Sequence, residues 1–111
     1  MNWEEKNVLV TGGNGFLGSR LIEMLKSYNP KSIFSPSSNE FDLRSQENCK
    51  HVTKNIDIVF HLAAHVGGIG LNKEKPGELF YDNILMGTYL LDEARKNNVE
   101  KFVTLGTMCS Y

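Results

Sequence analysis

Cysteine is scarce in this chain of 111 residues: Cys49 and Cys109 stand far apart and outside any Cys-x-x-Cys pattern. That argues against a disulfide framework or a zinc knuckle and fits a reducing compartment. An excess of one charge is missing too. Lys plus Arg number 12 and Asp plus Glu 13, a formal net charge of −1. No general attraction to nucleic acid or to an anionic membrane follows from that balance, and the basic residues are not clustered. Long apolar runs are absent. The most apolar stretch, Ile56 to Ala64, contains Asp57 and His61 and is far shorter than a membrane span. The polar start, Met1 to Asn7, leads straight into a strand, so no signal peptide is expected. Repeats, low-complexity tracts and linkers are lacking. The expectation is one domain, cytoplasmic, with no membrane or nucleic-acid partner.

What is present is alternation. Apolar runs at Asn7–Thr11, Ser32–Ser35, Ile56–Leu62 and Lys101–Leu105 read as strands covered on both faces. Between the first two, Leu17, Leu21, Leu25 and Tyr28 recur at helical spacing, opposite Arg20, Glu23 and Lys26. Asn29-Pro30 ends that helix. A second helix is expected within Ser45–Lys54. A third is expected to present Phe80, Ile84, Thr88, Leu91 and Ala94 on one face, with Arg95-Lys96-Asn97-Asn98 as its cationic exit. Met24, Met86 and Met108 are expected in the core. This order predicts an α/β fold: a Rossmann-type parallel sheet of about four strands with flanking helices. The irregular connection Gly67–Gly77 follows a strand's C-terminal end, where open α/β sheets bind ligands.

The first strand runs into Thr11-Gly12-Gly13-Asn14-Gly15-Phe16-Leu17-Gly18 and then into the first helix. Glycines in that context form a dinucleotide-binding turn. Gly12 and Gly13 permit the tight bend, Gly15 lets the backbone approach a pyrophosphate, and Gly18 lets helix pack on strand. Free N–H groups at the helix start then face the phosphates. After the second strand the chain reads Phe34-Ser35-Pro36-Ser37-Ser38-Asn39, with no carboxylate until Glu40. A carboxylate there would bond the ribose hydroxyl of NAD and repel the extra phosphate of NADP. Serine hydroxyls can donate to that phosphate, which leans the reading toward NADP. With no Arg or Lys in the segment, NAD stays open. Arg20 either reaches the phosphate from the first helix or is a solvated helix charge.

Three stretches together resemble the extended short-chain dehydrogenase/reductases, the nucleotide-sugar epimerases, dehydratases and reductases. They are the glycine turn, Val59-Phe60-His61-Leu62-Ala63-Ala64, and Tyr81-Asp82-Asn83-Ile84-x-x-Gly87-Thr88. Ala63-Ala64-His65-Val66-Gly67-Gly68-Ile69-Gly70 and Leu105-Gly106-Thr107-Met108-Cys109-Ser110-Tyr111 are similar to the GDP-L-fucose synthase branch of that family. The resemblance implies that Gly12, Gly15, Phe16, Leu17 and Gly18 hold the cofactor's pyrophosphate side. Asp42 and Leu43 would lie beside the adenine, and Leu62, Ala63, Ala64 and Leu105 would line the rest of the cofactor site. Thr107 would bond the sugar's reacting oxygen, and Asn83 would fix the loop beneath the site. Cys109 would share acid–base work at the sugar's carbons 3 and 5 with a later histidine, NADPH reducing carbon 4. A small buried apolar role for Cys109 is the competing reading. His61 and His65 are read as structural, with no third ligand near them to make a metal site.

The family's catalytic Tyr-x-x-x-Lys pair does not occur in the sequence, and Tyr111 is not expected to be that tyrosine. Residues 1–111 are therefore expected to be a truncated dinucleotide-binding domain, its substrate domain absent, inactive by itself. The partner expected of the whole enzyme is a nucleotide sugar. The uncovered edge of a fourth strand invites self-association as a homodimer. Another nucleotide-sugar epimerase or dehydratase holding NAD, or a non-catalytic NADP-binding module, is the alternative.

Overall fold

A computed structural model describes residues 2–37, 39–63 and 76–104. After a 3-10 turn at Trp3–Glu5 come β1 (Asn7–Thr11), α1 (Phe16–Lys26), β2 (Ser32–Phe34), α2 (Gln46–Val52), β3 (Ile58–His61), α3 (Pro76–Lys96) and β4 (Lys101–Thr104). The strands form one parallel sheet in the order β2-β1-β3-β4. This is the predicted Rossmann-type architecture.

Side-chain alternation in β1 builds two cores. Val8 and Val10 point one way, joining Ile58 and Leu25 of α1; Leu9 points the other way, joining Val59, Val52 of α2 and Leu90 of α3. A parallel sheet with both faces covered needs such apolar runs. The edges differ. β4 is mostly exposed, Phe102 being its half-buried residue, and Val103 is 44% exposed. The starts of the strands are laced by polar groups: Asn7 N–H donates to the Asp57 carboxylate at 2.7 Å, and Asp57 N–H donates to the Asn7 carbonyl at 2.8 Å.

Each helix returns to the sheet through an asparagine in the left-handed region: Asn29 at φ 52°, Asn55 at 58° and Asn98 at 60°. Asparagine tolerates that conformation better than most residues. It explains why α1 stops at Lys26, ahead of Asn29-Pro30: Ser27 caps the helix, its hydroxyl donating to the Met24 carbonyl at 2.6 Å. Ser45 caps α2 by accepting the Asn48 N–H at 3.3 Å. Thr53, fully buried, donates to the Cys49 carbonyl and accepts from Asn97, so the ends of α2 and α3 are tied together.

Two helical faces differ from the sequence expectation. In α1 the residues turned to the sheet are Gly18, Leu21, Ile22 and Leu25, while Leu17, Met24 and Tyr28 are largely exposed. Close packing at Gly18 sets that rotation, and Tyr28 lies beyond the helix against Trp3 at 5.7 Å between ring centroids. In α3 the inward stripe is Met86, Leu90, Glu93 and Ala94; Ile84, Thr88 and Leu91 face outward. The helix carries apolar residues on two neighbouring stripes that share Ala94, and periodicity alone does not choose between them. Phe80's side chain lies outside the described residues, as does Met108; Met86 is in the core as expected. Replacement of Leu90 by Ala is expected to cost about 2–5 kcal/mol in urea unfolding, and Leu91→Ala less than about 1 kcal/mol.

Candidate functional site

The site begins at the C-terminal end of β1. Thr11 is buried, and its hydroxyl oxygen accepts the N–H groups of Leu62 and Ala63, each at 3.1 Å. With those lone pairs used, its own hydrogen goes to His61 Nδ1 at 2.7 Å, leaving the imidazole proton on Nε2. Burial pushes the His61 pKa down to about 4 from its ordinary 6.5. The ring is a neutral strut between the ends of β1 and β3.

Directly after Thr11, Gly12 takes φ +74°. A Cβ there would come within 2.7 Å of the Ala63 nitrogen and of the Leu62 carbonyl carbon, so only glycine fits. A Cβ on Gly18 would run into the Gly12 carbonyl oxygen, and one on Gly13 into the Ser35 hydroxyl. The turn is thus pressed between α1, the end of β2 and the end of β3. Gly15 differs: its nearest neighbour for a Cβ is the Gly12 oxygen at 3.4 Å, so its surface is open. It also begins α1 without any side-chain cap. The first N–H groups of a helix have no intrahelical acceptor, so those of α1 are available to an anion at the glycine turn.

This turn floors a cleft of about 570 Å³, a size usual for cofactor sites. Leu62, Ala63 and Met86 form one wall; Pro36, Ser37, Asn39 and Phe41 to Arg44 form the other. The Arg44 guanidinium grips Asp42 through Nε and Nη2, the shortest contact being 2.8 Å, and reaches Asp82 of α3 at 3.5 Å. A bare helix start and a cradle that a side chain at Gly15 would fill, at the floor of the cleft, suit a pyrophosphate-bearing dinucleotide.

Six of the residues singled out in the sequence come together here. Gly12, Gly15, Asp42, Leu43, Leu62 and Ala63 line the cleft. Leu43 does so from the core, being 7% exposed. Gly18 supports the turn from beneath, while Phe16 and Leu17 are exposed at the start of α1 and are not part of the lining. Arg20 lies 4.6 Å above the Phe16 ring. Ala64, His65, Leu105, Thr107 and Cys109 lie outside the described residues. Thr11, Phe41 and Arg44 were not singled out beforehand. Thr11 left a faint signal as a hydroxyl ending an apolar strand, and Arg44 as a cation two places after Asp42. Among the described residues no His/Cys/Asp/Glu cluster could hold a metal, and no helix is long and apolar enough to cross a membrane.

Fold and cleft define a Rossmann-type unit with a glycine-floored ligand site. Residues 8–111 match the NAD dependent epimerase/dehydratase family, and the chain belongs to that family. It is 35% identical over 109 residues to GDP-L-colitose synthase of Yersinia pseudotuberculosis, covering 94% of this chain and 34% of that protein. Against GDP-mannose 3,5-epimerase 1 of Oryza sativa subsp. indica the identity is 30% over 122 residues, covering 97% and 32%. A GDP-L-fucose synthetase from Naegleria fowleri, solved bound to NADP, superposes with TM-score 0.76 at 28% identity, covering 91% of this chain and 31% of that one. The chain spans about a third of the length of the curated relatives it matches.

The buried imidazole makes stability depend on pH. His61 in the unfolded chain takes up a proton near pH 6.5 and in the folded chain only near pH 4. Its contribution is therefore complete above pH 6.5 and lost as pH falls toward 4, by about 3 kcal/mol at most. Denaturant unfolding of wild type and His61→Gln should show that slope in the wild type and its absence in the variant. A His61 ring titrating near 6.5 by NMR would contradict it.

Proposed function

We propose that this chain is the NAD(P)-binding portion of a nucleotide-sugar epimerase/reductase of GDP-L-fucose synthase type. That activity is 3,5-epimerisation and NADPH-dependent reduction of a GDP-4-keto-6-deoxymannose, in the cytoplasm. The observation carrying the reading is the uncapped start of α1 above the open surface of Gly15, with Gly12 and Gly18 fixing the turn beneath. Gly12, Gly15 and the first N–H groups of α1 would hold the pyrophosphate. Asp42 and Leu43 would face the adenine, and Leu62, Ala63, Ala64 and Leu105 the nicotinamide side. NADP is the cofactor this reading favours, supported by the serines after β2 and by the NADP-bound fucose synthetase at 28% identity. When bound, the cofactor would supply hydride to the sugar.

On this reading residues 1–111 are the dinucleotide-binding domain, and the domain gripping the nucleotide sugar is not among them. Thr107 would hydrogen-bond the sugar and Cys109 would serve as its acid–base partner. Identity to a GDP-mannose 3,5-epimerase supports a second reading, an epimerase retaining NAD. Oxidised cofactor carried through purification would favour that one.

Calorimetric titration of the 111-residue chain with NADP and with NAD tests the site. Binding is expected at millimolar or tighter affinity, and Gly15→Val should weaken it at least about tenfold by filling the pyrophosphate cradle. No heat from either cofactor at millimolar concentration, or unchanged affinity in the variant, would overturn the assignment.

A further inference from the structure

The glycine turn contains the sequence's one Asn-Gly pair, Asn14-Gly15; every other asparagine is followed by a residue with a side chain. Asparagine is among the thermally labile residues, because the next backbone nitrogen can attack its side-chain carbonyl carbon. Glycine obstructs that attack least, having no Cβ and the freest backbone.

The fold leaves this pair open to the reaction. Asn14 and Gly15 are both exposed, and both line the cleft. Among the described residues no group hydrogen-bonds the Asn14 side-chain amide. Space beside Gly15 is free as well, the nearest atom to a Cβ there being the Gly12 carbonyl oxygen at 3.4 Å. One bond opposes the attack: the Gly15 N–H donates to that same oxygen at 3.1 Å. It lies at the surface, where a turn opens with little loss of buried area.

We propose that Asn14-Gly15 is a self-modifying site whose conversion shuts the cleft to a dinucleotide. The Gly15 nitrogen bonds to Asn14 Cγ, the Cγ–Nδ2 bond breaks, and ammonia leaves carrying the Gly15 proton. Water then opens the succinimide at one of its two carbonyls, giving aspartate or isoaspartate. Aspartate puts a negative charge beside the first N–H groups of α1, which would otherwise meet a pyrophosphate. Isoaspartate brings the same charge and an extra backbone atom between residues 14 and 15, displacing Gly15 within the turn. A seated dinucleotide holds the turn closed and covers Asn14, so it slows the conversion. The effect on binding rests on the cleft being a dinucleotide site; the conversion itself does not.

Peptide mapping by mass spectrometry follows the exchange of amide for acid in the chain kept at mildly alkaline pH and physiological temperature. Asn14 should convert at least about tenfold faster than Asn55 or Asn98, turn asparagines followed by the β-branched Ile56 and Val99. Saturating NADP or NAD should slow it at least about threefold. Calorimetric titration of the aged chain should show the NADP dissociation constant raised at least about tenfold over the fresh chain. Asn14→Gln, whose longer side chain closes the ring poorly, should keep its own fresh affinity through the same ageing. Conversion at Asn14 no faster than at Asn55 would overturn the site. Fast conversion with unchanged affinity, or an equal loss of affinity in aged Asn14→Gln, would overturn its effect on the cleft. If fresh wild type binds neither cofactor, the cleft assignment falls and takes that effect with it, while the mass change still decides the modification.

Discussion

The hydroxyl of Thr11 holds the ends of the two central strands at a fixed separation, and the rest of the site depends on that spacing. Parallel strands leave backbone N–H groups to be satisfied where the chain departs from the ladder. Here β1 and β3 are neighbours, and their continuations run to α1 and α3 on opposite faces of the sheet. At such a switch point a crevice opens. The N–H groups of Leu62 and Ala63 line its edge, and both are taken by Thr11 Oγ1. Leu62 N–H is shared with the Thr11 carbonyl oxygen, also at 3.1 Å, and the same hydroxyl orients His61; a buried N–H left without a partner costs about 1–3 kcal/mol. The approach of Ala63 to Gly12 follows: no side chain fits between them, and the glycine turn is set against the end of β3.

From that contact the cleft's geometry propagates outward. Gly12 presents its carbonyl to Gly18, which fixes how α1 rotates over the sheet and why Leu21, Ile22 and Leu25, not Leu17, face inward. On the other face Cys49 Sγ donates to the Leu43 carbonyl at 3.2 Å, tying the wall of the cleft to α2. Burial raises the Cys49 thiol to about 12, so it remains a thiol and serves packing. Gln46 donates to Glu93 at 2.9 Å and joins α2 to α3. The apolar layer beneath the cleft and the polar links around it are thus one continuous support for the glycine turn.

Much of this was legible in the residues. Apolar runs located each strand among the described residues to within a few positions, most clearly β1 and β3, whose two covered faces cannot hide their composition. Glycine spacing located the turn, because Gly12 and Gly18 are demanded by backbone contacts that no other residue satisfies. What was not legible depends on distance in sequence. The inward stripe of α3 is chosen by the sheet it meets, and its neighbouring stripe is nearly as apolar. The pairing of Asp42 with Arg44 is local, but its extension to Asp82 requires the fold.

These pairings also decide the electrostatic character of the site. A phosphate-binding cleft is commonly thought of as basic, yet the cation in this lining is committed. Arg44 is shared between Asp42 and Asp82, and Arg20 lies over Phe16. His61 stays neutral because it is buried. On the proposed reading, attraction for a pyrophosphate would fall to oriented N–H dipoles at the start of α1, which are short-ranged and act only on an anion seated close to the backbone. That places the burden of recognition on fit at Gly12 and Gly15 rather than on net charge. The chain's balanced composition and its cleft therefore express the same physical choice: selection by shape and hydrogen bonding, with charge admitted only where a specific partner receives it.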